Sequence, residues 1–344
     1  MKRWNRRPEG STWGDWGEDD QLGRLNLLTP EKVKQGVAEV KEGLSFCLSL
    51  ALDQPGGNVL NIRRLPPVLS PTGDENGWRF NFLTRSFDKR FMDVASDDRV
   101  VLTLQYSTQW DTLAHVGAEF DAMGNGTPEP MYYNGYRAGR DVVGPQPDAG
   151  GDGCGHTSYA HKLGVENMAV KAIQGRGVLV DLEKHFGRCH TYVSHDMLMK
   201  VLERDNVVVE KGDMLLLYTG FTVEILAMNK KPDPARVHAM CAVLDGRDEK
   251  LLQWISDSGI SALIADNYGV EAVPARPGVG DNHPSLPLHH HCLFKLGLNL
   301  GEIWWLHELA MWLREHKRNR FLLTAPPLRL PGAVGSPATP VATV

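Results

Sequence analysis

Short apolar runs separated by amphipathic stretches dominate the second half of the chain. GVLVDL (177–182), MLLLYTG (214–220) and SALIADN (261–267) are strand-length and rich in Val, Ile and Leu, as is VVLTLQYS (100–107) earlier on. Between the later runs the period changes from two to about 3.6. SHDMLMKVLERDN (194–206) predicts a helix capped by Ser194. DEKLLQWISDSG (248–259) places Leu251, Leu252 and Ile255 on one face and stops at a glycine. Near the start, Thr29-Pro30 followed by EKVKQGVAEVKEG predicts a helix with Thr29 as cap, Pro30 in the first turn and Gly43 beyond its end. Strands alternating with helices imply an α/β protein with a mixed sheet and flanking helices. Nothing interrupts that pattern, so residues 1–344 read as a single domain.

Three segments fall outside it. Residues 52–78 and 121–160 are rich in Pro, Gly and Asn; loops of that length are usually functional or disordered, and active-site cover or subunit contact is expected for both. The tail from about residue 322 (LLTAPPLRLPGAVGSPATPVATV) has the composition of a loose terminus.

Composition narrows the partners more than the fold. The 344 residues carry a net charge of −5, which argues mildly against nucleic acid or an anionic membrane. Five dispersed cysteines, with no C-x-x-C pair, fit reduced thiols in a cytoplasm. The basic N-terminus lacks an apolar stretch after it, so it does not read as a signal peptide. No run is long and apolar enough to span a bilayer.

The densest candidate chemistry is Gln105-Tyr106-Ser107-Thr108-Gln109-Trp110-Asp111-Thr112-Leu113-Ala114-His115. With a helix starting at Thr108, Asp111 and His115 fall at i and i+4 and can share a metal or a proton. The same spacing also suits a capping box, with Thr108 as N-cap and Asp111 at the third position. A second cluster is His289-His290-His291 followed by Glu302. Three adjacent histidines cannot all face one way, so at most two converge; the alternative is a polar turn, with Glu302 capping a helix. Asp266-Asn267, before Tyr268-Gly269-Val270-Glu271, either lines a pocket or forms an Asx turn. His156, His161, His185, His190 and His195 show no ligand spacing, and there is no G-x-S-x-G elbow or Walker loop.

Residues 105–115 resemble the H-x-G-T-H-x-D-x-P-x-H motif of the cyclase-like hydrolases, a family that includes bacterial kynurenine formamidase. Thr108, Asp111 and His115 match, while Gln105 and Gln109 replace the two early histidines and Leu113 replaces the proline. WGEDDQLGRLNLLTP (16–30), MYYNGY (131–136), GRGVLVDL (175–182), GDMLLLYTG (212–220) and APPLRLPGAVGSPATPVA (325–342) extend the likeness over nearly the whole chain. It implies the swivelling β/β/α fold and hydrolysis of a small cyclic or acyclic amide or a lactone. By position, Asp111, His290 and Glu302 would hold one metal, with zinc or manganese suited to that shell. His115 and Asp111 would be catalytic, and Gln105, Gln109, Trp110, Tyr133 and Asn134 would contact the substrate. A Gln amide replaces imidazole poorly on zinc, so the family's other metal site is expected to be empty. The likeness also implies a homodimer or homotetramer and no organic cofactor. A metal-free lyase or isomerase acting on an oxo or hydroxy acid, and an inactive binding member, stand as alternatives.

Overall fold

The computed structural model describes residues 2–145 and 158–344. Part of the expected 121–160 loop, with Cys154 and His156, lies outside the described residues.

Nine strands form one mixed sheet: β1 (Ser45–Cys47), β2 (Gln109–Asp111), β3 (Gln174–Asp181), β4 (Met214–Tyr218), β5 (Ala262–Ala265), β6 (Asn299–Glu302), β7 (Arg320–Thr324), β8 (Gly335–Pro337) and β9 (Val341–Thr343). Their order is β1-β9-β7-β3-β4-β5-β6-β2-β8. The four middle strands β3 to β6 run parallel, and both flanks are antiparallel.

Both faces of this sheet are covered, which is why its strands read as continuous apolar runs. Val178, Val180, Leu215, Leu217, Leu263 and Ala265 point to one core. Leu179, Met214, Leu216, Tyr218, Ala262 and Ile264 alternate into the other. Helices α2 (His195–Arg204) and α3 (Glu249–Ser258) cover the first face through Leu198, Val201, Leu251 and Ile255. Ser194 accepts from the Met197 amide, Asp248 caps α3, and Gly259 ends α3 in the left-handed conformation. Helix α1 (Pro30–Val37) starts with Thr29 accepting from the Lys32 amide, as expected, but stops six residues before Gly43. No helix among the described residues is long and apolar enough to cross a membrane.

Two expectations fail. The tail is not loose: β8 and β9 are central-sheet strands, and Val344 is fully buried. Its Pro and Gly residues shape turns between short strands whose amide groups the sheet satisfies. The run 100–107 is not a core strand either. Only Asp98–Val101 is extended; it pairs with Val68–Pro71 in a separate ribbon that leaves Val100 and Val101 exposed.

Candidate active site

Strand β2 is three residues long and wholly buried, although two of its residues are polar. Its pleat sends Trp110 one way and Gln109 with Asp111 the other. Trp110 enters the second core, where it meets Trp304 edge to face and donates from Nε1 to the Ala325 carbonyl at 2.8 Å. On the opposite side Gln109 pairs in register with Glu302, at the end of β6. Gln109 Nε2 donates to Glu302 Oε2 at 2.9 Å and lies 3.5 Å from Asp111 Oδ1. The expected helix from Thr108 is therefore absent, and so is the capping box. Thr108 Oγ1 instead donates to the Ile303 carbonyl and accepts from the Leu50 amide, tying strand β2 to its neighbours.

The imidazole that joins the two carboxylates is His289, not His290. Pro287–His289 is a short α-helical turn that runs into π-helical turns over His290–Leu296. Successive residues on a helix point about 100° apart, so the three histidines diverge. His289 faces Glu302, with Nε2 3.2 Å from Oε1 but off the line a hydrogen bond requires. His290 packs its ring against Phe294, and His291 Nε2 bonds Ser256 Oγ. What selects His289 is Glu271. Its buried carboxylate accepts from the Leu288 amide (3.0 Å), the His289 amide (2.9 Å) and His289 Nδ1 (2.8 Å). One side chain thus satisfies amides that the helix start leaves free and fixes the ring so that Nε2 points into the site.

Gln105 sits on the turn before β2. Its Nε2 donates to Asp111 Oδ1 at 2.9 Å and lies 2.8 Å from His115 Nδ1. An amide donor at Nδ1 makes that nitrogen the acceptor and leaves the neutral ring's proton on Nε2. Burial lowers the His115 pKa, and the nearby Asp111 charge opposes that only in part, so the ring is neutral at pH 7. His115, His289 and Glu302 line a cavity of about 290 Å³, walled by Tyr106, Tyr268 and Arg64. Arg64 donates to the Gln105 carbonyl at 2.9 Å.

The charge balance is unusual for a protein interior. Burial and the Asp111 charge raise the Glu302 pKa to about 7, despite the His289 contact. Burial would lower the His289 pKa, but the hydrogen bond to Glu271 and the adjacent Glu302 carboxylate outweigh it and lift it to about 10. Asp111 Oδ2, Glu302 Oε1 and Gln109 Oε1 are buried with no hydrogen-bond partner, which is costly unless something else satisfies them. Ligand atoms of Asp111, His289 and Glu302 lie within 4.8 Å of one another. Two carboxylates and an imidazole gathered this closely, with buried oxygens left unpartnered, fit a single divalent cation.

Of the residues singled out from sequence, Gln105, Gln109, Asp111, His115 and Glu302 converge here. Three suggested substrate contacts lie elsewhere. Trp110 is core. Tyr133 bonds Thr12, and Asn134, held at φ 58°, fastens the Gly17, Glu18 and Asp20 carbonyls of the N-terminal segment. Asp266 braces Thr219 and Gly220, while Asn267 accepts from the Val270 amide within its own turn. His185 and His195 pair with Asp205 and Asp196 away from the cavity. The sequence reading chose His290 from the His289–His291 triplet, gave Glu271 no role and did not single out Arg64; the acidic residue four positions after Asn267 was the available signal for the second.

Comparison with known proteins agrees with this architecture. The sequence profile of the putative cyclase family matches residues 48–272, which include Asp111, His115 and Glu271. A crystal structure described as a novel cyclase is 29% identical, with a TM-score of 0.72 and 97% of each chain covered. Isatin hydrolase A from Labrenzia aggregata, bound to benzyl benzoate, is 14% identical with a TM-score of 0.55, over 91% of this chain and 97% of that one. Isatin hydrolase A from Ralstonia solanacearum is 15% identical with a TM-score of 0.53, over the same shares. At such identities these two show a shared fold. No curated protein matches by sequence.

Proposed function

Because this chain belongs to the putative cyclase family, we propose that it is a hydrolase that opens a small cyclic or acyclic amide or a lactone. The observation that carries the proposal is the buried trio of Asp111, His289 and Glu302, with oxygens left unpartnered, two of whose members, His289 and Glu302, line a cavity. Fold neighbours named as isatin hydrolases are in keeping with it.

In this reading Asp111, His289 and Glu302 hold one divalent cation, zinc or manganese, and Glu271 keeps the His289 ring turned toward it. Such a cation, when bound, supplies Lewis acidity for carbonyl hydrolysis. The remaining work belongs to the chain. A cavity of about 290 Å³ admits only a small substrate. Gln105 fixes the ring through His115 Nδ1, so that Nε2 faces the cavity; the ring takes up the proton that the attacking water releases, and the imidazolium so formed returns a proton from Nε2 to the departing nitrogen or oxygen. Loss of that transfer in His115→Gln lowers turnover by about 10² to 10⁴ while the melting temperature stays close to wild type. The free thiols Cys47, Cys189, Cys241 and Cys292 support a reducing, cytoplasmic setting.

One observation favours a second reading. The amides of Gln105 and Gln109 already donate to Asp111 and Glu302, as they would in a site that works without a cation. Asp111 and His115 would then perform acid–base chemistry on an oxo or hydroxy acid. Glu302→Ala, with metal content and activity measured on the same preparation, separates the two. Loss of both supports the metal-dependent hydrolase. Intact activity in protein shown to be metal-free overturns it.

A further inference from the structure

Arg64 is a half-buried cation on the cavity wall, and among the described residues it has no carboxylate partner. Its backbone is held on both sides. The Arg64 amide donates to the Asn61 carbonyl, and the Leu65 amide donates to Thr103 Oγ1. At the other end of the side chain, one guanidinium nitrogen donates to the Gln105 carbonyl at 2.9 Å. A guanidinium carries five N–H donors in a rigid fork, so most of them are unspent. Gln105 joins this cation to the chemistry. Its carbonyl takes Arg64, while its side-chain amide lies 2.8 Å from His115 Nδ1. The guanidinium and the imidazole are thus separated by the width of one residue. The Arg64 charge is felt by both His115 and Glu302, in each case acting to lower the pKa.

We propose that Arg64 sets the specificity of this cavity by binding a carboxylate on the substrate, so that the compounds opened here are anionic amides or lactones. This rests on the reading of the cavity as a substrate site. The planar fork of an arginine matches a carboxylate with two parallel N–H···O bonds. Among the described residues Glu302 is the only acid lining the cavity, and it is engaged beside His289. A carboxylate on Arg64 therefore meets no rival on the wall around it. Leu60, Val116, Val273 and Leu286 supply apolar wall, and low-dielectric walls focus the field of a cation into a cleft. Size favours a carboxylate over a phosphate, because about 290 Å³ must hold the scissile group as well. The width of Gln105 also sets the substrate's length: the carboxylate sits a few bonds from the carbonyl that is attacked.

The test is equilibrium binding to the full chain, by calorimetry, of matched acid and neutral compounds. The pairs are pyroglutamate with pyrrolidinone, γ-carboxy-γ-butyrolactone with γ-butyrolactone, and N-acetylglycine with N-methylacetamide. In the wild type the acid of at least one pair binds about 10- to 100-fold more tightly than its neutral partner, the weight of a charge-assisted contact. Arg64→Met abolishes that preference and leaves the affinity for the neutral compound as it was. Arg64→Gln, which keeps a donor for the Gln105 carbonyl but no charge, gives the same loss, so the result does not depend on that brace. Arg64→Lys retains part of the preference. A wild type that binds no acid more tightly than its partner overturns the proposal, as does a preference that survives both neutral variants. An equal loss for acid and neutral compounds overturns it too, since an Arg64 that only braces Gln105 would behave that way. Hydrolysis of the same compounds is scored separately: an acid preference without turnover of any pair leaves the carboxylate site standing and counts against the hydrolase.

Discussion

Replacing Glu271 by Gln tests whether the site is built from His289 outward. The carboxylate takes three donors: the Leu288 amide on Oε2, and the His289 amide and ring Nδ1 on Oε1. With the Gln oxygen at the Oε1 position, the two His289 donors keep an acceptor, but the NH₂ then faces the Leu288 amide donor to donor. One buried hydrogen bond is lost, at a cost of about 1–3 kcal/mol. The ring also loses its anionic partner, and a charge-assisted bond is roughly twice as strong as a neutral one. Removing the carboxylate behind a metal-ligating histidine weakens metal affinity by about 10- to 100-fold, or about 1.4–2.7 kcal/mol. The assay is competitive titration of chelator-stripped protein with zinc or manganese against a chromophoric chelator, alongside thermal melts with and without metal. Glu271→Gln should bind metal more weakly in that range and gain correspondingly less stability from it. His290→Gln serves as the control and should change metal affinity by less than about twofold, because its ring faces Phe294. A folded Glu271→Gln protein with unchanged affinity would refute the assignment of His289, as would equal losses in the two variants.

Three further outcomes are expected. Trp110→Ala should destabilise the fold by about 3–5 kcal/mol in urea unfolding, since it opens a cavity beside Trp304 and frees the Ala325 carbonyl; a stable variant with only a raised KM would return Trp110 to the pocket. His291, 8% exposed and bonded to Ser256, has its pKa pushed down to about 4 by burial, against about 6.5 when unfolded. The unfolded chain therefore binds the extra proton, so this stability is complete above about pH 6.5 and drains away as pH falls through about 4, up to about 3 kcal/mol; His291→Gln should flatten that slope in unfolding free energy, and an unaltered slope would discount the residue. Deleting residues 335–344 removes two paired strands and should abolish the near-ultraviolet circular dichroism of the native core, whereas a native signal would mean the tail is dispensable.

Where sequence reading succeeded and failed has a physical pattern. Helices α2 and α3 were legible because Ser194, Asp248 and Gly259 mark their ends with local hydrogen bonds and backbone conformation. Strands β3, β4 and β5 were legible because burial on both faces makes them continuously apolar. Strand β2 was not, since Gln109 and Asp111 are polar residues buried for the sake of the site, and nearby Val100 and Val101 offered a louder apolar signal that belongs to the separate ribbon. The tail was misread for a related reason: three-residue strands are too short to outweigh Pro and Gly in composition. The shift from His290 to His289 arises from a side-chain contact across 18 residues, between Glu271 and the helix start. Likeness of spacing placed the cluster; only the Glu271 contact names its working member.

The position of strand β2 has a consequence for the order in which the molecule is made. Asp111 lies between β6, which brings Glu302, and β8, whose Gly335 is its register partner. A chain emerging from the ribosome carries Asp111, then Glu271, His289 and Glu302, with the strand that bears the aspartate still open along one edge. That edge closes only after synthesis has passed residue 337. Pairings so remote in sequence form late and slowly, so a nascent or clipped chain holds the residues without holding the site. The cluster is thereby withheld until the fold is closed, and a partly made chain does not hold Asp111, His289 and Glu302 together.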